Sequence, residues 1–179
     1  AAVKQAGRAL RFASEELKLK RDKEIVSAAV KQDGRALRFA SEELKKDKEV
    51  VLAAVTQNGF ALQYASEELK ANEEVVLAAV KQNGCALLVY ASEALKSDNK
   101  FMLDVVELEQ EGHYALRYAS DELKKNKEFI LAAIKKTRGY ALGYASEELK
   151  ANEEVVLAAV KQNGHALKDA SKELKGDKE

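Results

Sequence analysis

Proline and tryptophan are absent from the 179 residues, and cysteine and methionine occur once each. Without proline, nothing in the chain removes a helical N–H donor or forces a kink. A lone cysteine, Cys85, can form no internal disulfide, so the chain is not a disulfide-stapled secreted scaffold and reads as an intracellular protein. No apolar run approaches the roughly 18 residues that a membrane span requires, and no basic-then-apolar leader opens the sequence. Net charge is missing too, because 30 basic residues cancel 30 acidic ones. No long-range field therefore draws in nucleic acid or an anionic membrane, and polyanion binding would need a local patch. The two histidines, His113 and His165, lie far apart, and no HExxH or CxxC pair offers a metal site. GxGxxG and GxxxxGK phosphate loops are lacking, and no serine sits in a nucleophile-elbow pattern. These absences lead us to expect no enzymatic activity, no cofactor and no small-molecule substrate.

What the chain does have is a period. Gly7, Gly34, Gly59, Gly84, Gly112, Gly139 and Gly164 recur at steps of roughly 25 residues, each inside nearly the same phrase. The unit reads D/N-x-E-V-V-L-A-A-V-K-Q-N-G-x-A-L-x-Y-A-S-E-E-L-K. Residues 1–179 are expected to form a single helical-repeat array that grows along one axis, each unit touching its neighbours. Both ends fall in mid-unit, which suggests a fragment of a longer array. The segments Tyr64 to Gly84 and Tyr144 to Gly164 are identical letter for letter, as expected of recent duplication.

Within a unit, Asp47-Lys48-Glu49 offers an N-cap carboxylate and an acidic first turn, ahead of the apolar run Val50 to Val55. Asn58-Gly59 then ends that helix, with the glycine expected in the left-handed conformation. In the next segment Leu62, Ala65 and Leu69 fall at i, i+3 and i+7, one stripe of a second helix. An alternative splits that segment, with Ser66 capping a separate short turn at Glu67-Glu68-Leu69. The expected fold is all-α, an α-solenoid of about seven tandem two-helix repeats. The recurring serines and Asp/Asn residues read as caps, since a catalytic centre needs its residue once and a cap is needed in every unit. Adjacent pairs such as Glu67-Glu68 read as a solvated face with lysine partners four residues on. The aromatic column Phe12, Phe39, Tyr64, Tyr90, Tyr118 and Tyr144 reads as packing between units, weakened where it breaks at Asp169.

The phrase E-V-V-L-A-A-V-K-Q-N-G-x-A-L-x-Y-A-S-E-E-L-K resembles the tandem-repeat family named domain of unknown function 4116, across nearly the whole chain. The resemblance implies an interaction or scaffolding module and supplies no catalytic residues.

Positions that vary from unit to unit are the candidates for partner contact. One column follows the glycine: Arg8, Arg35, Phe60, Cys85, His113, Tyr140 and His165. The other follows the Ala-Leu pair: Arg11, Arg38, Gln63, Leu88, Arg117, Gly143 and Lys168. Three residues apart, the two columns share a helix face and would line up as a strip, with Arg8, Arg11, Arg35 and Arg38 clustered at one end. The expected role is a scaffold binding protein partners within a larger assembly. A structural or linker subunit and a helical repeat reading single-stranded RNA are the alternatives, the latter disfavoured by neutral charge. The divergent, acidic stretch Phe101 to Glu111 could kink the superhelix, dock a basic partner or reflect drift.

Overall fold

The computed structural model describes residues 21–108 and 112–176, and leaves the side chains of residues 85–87 outside the description. Among the described residues all regular structure is helical. Six long helices are α1 (Lys23–Gln32), α3 (Lys48–Gln57), α5 (Glu73–Asn83), α7 (Asn99–Leu108), α9 (Lys127–Lys136) and α11 (Glu153–Gln162). Six short ones follow them in turn: α2 (Glu42–Lys45), α4 (Glu67–Lys70), α6 (Glu93–Lys96), α8 (Asp121–Lys125), α10 (Glu147–Lys150) and α12 (Lys172–Lys175). A 3-10 segment joins each long helix to its short one, at Gly34–Phe39, Gly59–Tyr64, Cys85–Tyr90, Gly112–Tyr118, Tyr140–Tyr144 and Gly164–Asp169.

The second half of each repeat is therefore two pieces, as the alternative centred on Ser66 expected. The break is an Ala-Ser pair in extended backbone, with φ/ψ of −67°/156° at Ala65 and −61°/156° at Ser66. Ser66 Oγ accepts a hydrogen bond from Leu69 N–H at 3.4 Å, and Ser41, Ser120, Ser146 and Ser171 cap their helices in the same way. Asp22, Asp47, Asn72, Asn126 and Asn152 cap the long helices. Leu62, Ala65 and Leu69 are all buried although three elements supply them. Their helical spacing comes from a shared core, not from one continuous helix.

The chain divides into two compact units, residues 1–92 and 93–179. In the first, α1, α3 and α5 pack in succession, and the 3-10 segments Gly34–Phe39 and Gly59–Tyr64 each pack on their own long helix and on the next. In the second, α7, α9 and α11 pack in succession. The cores are aliphatic, built from Val50, Val51, Ala54, Val55, Ala61 and Leu62 in one repeat, and from Phe129, Ile130, Ala133, Ile134, Ala141 and Leu142 in another.

One backbone bond recurs at every step. The serine that opens a short helix donates its N–H to a lysine carbonyl at the end of the preceding short helix: Ser66 to Lys45 at 3.1 Å, Ser92 to Lys70 at 3.0 Å, Ser120 to Lys96, Ser146 to Lys124 and Ser171 to Lys150 at 2.9 Å each. Ion pairs add a polar seam between repeats. Lys23 bonds Asp47 and Glu49 at 2.8 and 2.7 Å, Lys48 bonds Glu74 at 2.6 Å, and Lys127 bonds Glu154 at 2.5 Å. Within the short helices the lysine partner lies three residues on, as in Glu67–Lys70, where four was expected.

The glycine column also has a different cause from the one expected. Among its described members only Gly84 and Gly139 have positive φ, at 85° and 90°. Gly34 instead lies against the Ala54 carbonyl of the next repeat, which a Cβ would strike, and its N–H donates to Gln57 Oε1 at 2.6 Å. Gly59 N–H likewise reaches Asn83 Oδ1 at 2.6 Å. Close approach between repeats excludes a side chain here. Gly164 has no atom within 4 Å of its would-be Cβ and no positive φ. Gly34→Ala should therefore cost about 1–3 kcal/mol by overpacking, whereas Gly164→Ala should be neutral or stabilising by up to about 1 kcal/mol; urea titration of both variants reads the contrast.

Lys23, hydrogen-bonded to Asp47, holds that carboxyl below its ordinary range. Its contribution to stability is present above the unfolded value near 3.9 and is lost as pH falls through the lower folded value. Melting temperatures at successive pH values below about 4 should fall more steeply in the native chain than in Lys23→Met.

Candidate functional site

A 3-10 helix has three residues per turn, so positions i and i+3 eclipse each other along one edge. The two variable columns share that edge. Arg35 and Arg38, both exposed, stand on the first described segment, and Phe60 stands over Gln63, whose amide donates to Phe60 O at 3.0 Å. Arg117, Tyr140, His165 and Lys168 are exposed on later segments. Gly34–Phe39, Gly59–Tyr64 and Cys85–Tyr90 pack side by side in the first unit, as do Gly112–Tyr118, Tyr140–Tyr144 and Gly164–Asp169 in the second. Each unit therefore carries a ridge of paired, variable side chains. Arg8 and Arg11 lie outside the described residues, as does the side chain of Cys85.

Counting from the glycine misplaces two positions, and the structure moves both. Leu88 is completely buried, and Val89 takes the outward position at 56% exposure. The bond from Ala91 N–H to Leu88 O matches that from Ala65 N–H to Leu62 O, so Leu88 is the core leucine of its repeat and one residue has been inserted before it. His113 is likewise an insertion, half-buried, while Tyr114 holds the post-glycine position and is 50% exposed. Register is set from the Ala-Ser end, where the backbone bond to the previous repeat is made. Counting back from the serine identifies Val89 and Tyr114 in the sequence itself.

The insertion builds an aromatic group. The His113 ring lies 4.3 Å from Tyr114 and stacks on Tyr140 at 4.9 Å and 24°, with Tyr144 at 6.4 Å. Tyr114 and Tyr140 stay about half exposed. Arg38 lies over the Phe39 ring at 4.3 Å, a cation–π contact. Of the remaining members of the aromatic column, Phe12 lies outside the described residues, and Tyr64, Tyr90, Tyr118 and Tyr144 are half-buried. Where the column breaks, the Asp169 carboxylate sits beside Gly143, about where a Cβ at that glycine would meet it, 3.3 Å away.

Charge is sorted between elements. Among the described residues the 3-10 segments carry Arg35, Arg38, Arg117 and Lys168 against one carboxylate, Asp169. Carboxylates gather at the starts of the short helices, as Glu42-Glu43, Glu67-Glu68, Asp121-Glu122 and Glu147-Glu148, where the helix dipole favours them. One cleft of about 320 Å³ brings Arg21 and Arg38 together with Glu42 and Glu43. Hydrogen bonding to the Ser41 hydroxyl lowers the Glu43 carboxyl, and its own backbone N–H does the same for Glu122. Among the described residues no group of three or more His, Cys, Asp or Glu is placed to hold a metal. No helix among them is long and apolar enough to cross a membrane.

Comparison with known families also returns a tandem repeat. One family model matches six times in tandem, over residues 1–45, 22–70, 47–96, 72–124, 108–150 and 126–175. The chain belongs to the family described as Domain of unknown function (DUF4116). The DUF4116 matches over 22–70, 47–96, 72–124 and 126–175 each span two consecutive structural repeats, so the family's own unit includes the junction between neighbours. Comparisons with curated proteins and with solved structures give no match.

The DUF4116 register makes a direct prediction. Leu88→Asn should destabilise the protein by several kcal/mol, by burying an unsatisfied amide in the core, and Val89→Asn should stay within about 0.5 kcal/mol of the parent. Equal effects in denaturant titration would refute the assigned register.

Proposed function

We propose that this chain is a non-catalytic DUF4116 scaffold, which binds protein partners along the 3-10 ridges and so takes part in assembly. The observation that supports the reading is the pairing, on one exposed edge, of the residues that differ most between repeats. The positions that repeat are used up in caps, cores and junction bonds, whereas Arg35, Arg38, Phe60, Tyr114, Arg117, Tyr140, His165 and Lys168 have no such duty in common. Exposed tyrosines beside arginines are the residue types that dominate binding energy at protein interfaces.

A protein fits this surface better than an RNA backbone does. The cations of the ridge are interrupted by Phe60, Val89 and Gly143, and the cleft at Arg38 also holds Glu42 and Glu43. A continuous phosphate chain would meet those carboxylates, while a polypeptide can set its charges individually. The RNA reading keeps one observation in its favour, the near absence of carboxylates from the 3-10 segments. A linker role would leave the ridge without energetic consequence.

Affinity capture from the native extract, with and without nuclease, tests the reading when the parent chain is compared with Arg35→Ala/Arg38→Ala and Tyr114→Ala/Tyr140→Ala. Proteins retained through nuclease treatment and lost from either variant are the expected result. Loss of all partners with nuclease, together with steep salt dependence, would transfer the function to RNA. Retention unchanged by both variants would remove the ridges as the contact surface.

A further inference from the structure

Three turns at the ends of long helices share the letters Gln-Asn-Gly, at Gln57-Asn58-Gly59, Gln82-Asn83-Gly84 and Gln162-Asn163-Gly164. An asparagine followed by glycine can cyclise on itself, because no Cβ shields the next backbone nitrogen from the side-chain carbonyl carbon. The reaction needs that nitrogen solvated and free of a hydrogen bond. In this respect the three turns differ.

Asn58 and Asn163 have the same local geometry. Their φ/ψ are −153°/107° and −156°/113°, and each side-chain oxygen accepts the N–H two residues on, from Phe60 and from His165, at 3.0 Å. That bond polarises the side-chain carbonyl and makes Cγ more electrophilic. What separates the two is the glycine. Gly59 is buried, and its N–H donates to Asn83 Oδ1 of the next repeat at 2.6 Å. Gly164 is exposed, with nothing within 4 Å of its would-be Cβ. As the first residue of its 3-10 segment it has no acceptor within the segment, and among the described residues its N–H makes no hydrogen bond. Asn83 is restrained in another way. It ends α5, the Gly84 N–H donates to Val80 O at 2.7 Å, and its own side chain is taken by Gly59. Since Tyr64 to Gly84 and Tyr144 to Gly164 are identical, the letters up to each glycine cannot separate Asn83 from Asn163.

We propose that Asn163 is a deamidation site, and that the bond between repeats, from Gly59 N–H to the Asn83 amide, protects Asn58. In the reaction the Gly164 N–H loses its proton to solvent base, the nitrogen bonds to Asn163 Cγ, and the side-chain amide leaves as ammonia, closing an imide ring. Water then opens the ring. Cleavage of the Cγ–N bond gives aspartate, and cleavage at the main-chain carbonyl gives isoaspartate. Overall a water is consumed and an ammonia released, with no redox change. The aspartate product suits the turn, because Asp33 stands at the same position and accepts the Arg35 N–H at 3.0 Å. Isoaspartate routes the main chain through an extra methylene at the entry to the segment that carries His165 and Lys168. Either product places a negative charge beside those two residues, so the modification alters the ridge at that repeat.

Peptide mapping by mass spectrometry, after incubation of the full chain in mildly alkaline buffer, reads each site by the mass gained when NH2 becomes OH. Chromatography separates the aspartate and isoaspartate forms. In the native chain Asn163 should convert at least about fivefold faster than Asn58 or Asn83, as expected when attack at the other two must first break a hydrogen bond. In urea, which removes the turns, all three should convert at similar rates. Asn83→Ala, which a helix accepts, removes the acceptor of the Gly59 N–H and should raise the native rate at Asn58 while leaving that at Asn163 unchanged. Gly164→Ala should suppress conversion at Asn163. Equal native rates at the three sites, Asn58 or Asn83 converting fastest, or the native order persisting in urea overturns the assignment of Asn163. An Asn58 rate unmoved by Asn83→Ala, or one that rises together with the rate at Asn163, overturns the protective role of the bond between repeats.

Discussion

The fold depends on a hydrogen bond that contains no side chain, from the serine N–H of one repeat to the lysine carbonyl of the repeat before. A four-residue helix is far below the length that is stable alone in water, and its last carbonyls have no partner within it. The neighbouring repeat supplies that partner. For the serine N–H to reach across, the chain must leave the helical conformation at the preceding alanine and at the serine itself. This geometry explains why the second half of the unit splits although its leucines are spaced as for one helix. A bond between backbones also tolerates divergence. Glu67-Glu68-Leu69-Lys70 and Asp121-Glu122-Leu123-Lys124 make it equally well.

Irregular repeats show what happens when this bond is held fixed and residues are added. The identical segments that begin at Tyr64 and Tyr144 do not end alike. The long helix of the first runs through Asn83, and Gly84 takes φ 85° and ψ 171°, a region open essentially to glycine. In the second, the helix stops at Gln162, Asn163 is extended, and its side chain accepts the His165 N–H. The letters are the same, so the difference comes from the surroundings: Gly59 N–H of the preceding repeat bonds the Asn83 side chain, whereas Gly139 N–H bonds Ile134 O. Cys85 to Tyr90 holds one residue more than His165 to Asp169 before the next Ala-Ser pair, and the turn absorbs the surplus. Another surplus residue, at Arg138, is absorbed by φ 52° and by Thr137, whose buried hydroxyl donates to Ala133 O and accepts from Ala141 N–H. Among the described residues, the surplus residues before Leu88, at His113 and at Arg138 lie at the turn, where the junction does not constrain the chain.

Much of this was legible in the sequence. Period, helical content, the capping roles of Ser66 and Asp47 and the variable columns all follow from recurrence and local propensity. The failures share one cause, which is that the sequence does not announce its fixed point. Glycine is the most conspicuous letter in the unit and invites counting from it, which puts Leu88 on the surface and His113 in the column of Phe60. The serine is the true reference. The glycine itself is read from sequence through its freedom of φ, a property of one residue, whereas Gly34 is required by the Ala54 carbonyl of the next repeat. Contacts between repeats leave no local signature. The aromatic stacking of His113 on Tyr140 has the same origin and is invisible in the sequence for the same reason.

Net charge is the other place where a whole-chain quantity misleads. Equal numbers of acids and bases exclude a long-range field, but they say nothing of where each sign resides. Helix dipoles draw glutamates to the helix starts, and lysines from neighbouring repeats pair with them there. That chemistry is structural and consumes carboxylates in every unit. Among the described residues the arginines of the 3-10 segments stand apart from it, so a neutral chain presents a locally cationic edge. That edge also carries apolar and aromatic side chains that the cores do not need. An array that required only stability would place charged residues at Leu157, Tyr114 and Val89, where exposure reaches about half. Tyr114 and Val89 belong to the 3-10 segments, and their exposure there is the physical reason to look for binding on those segments and not at the acidic helix starts.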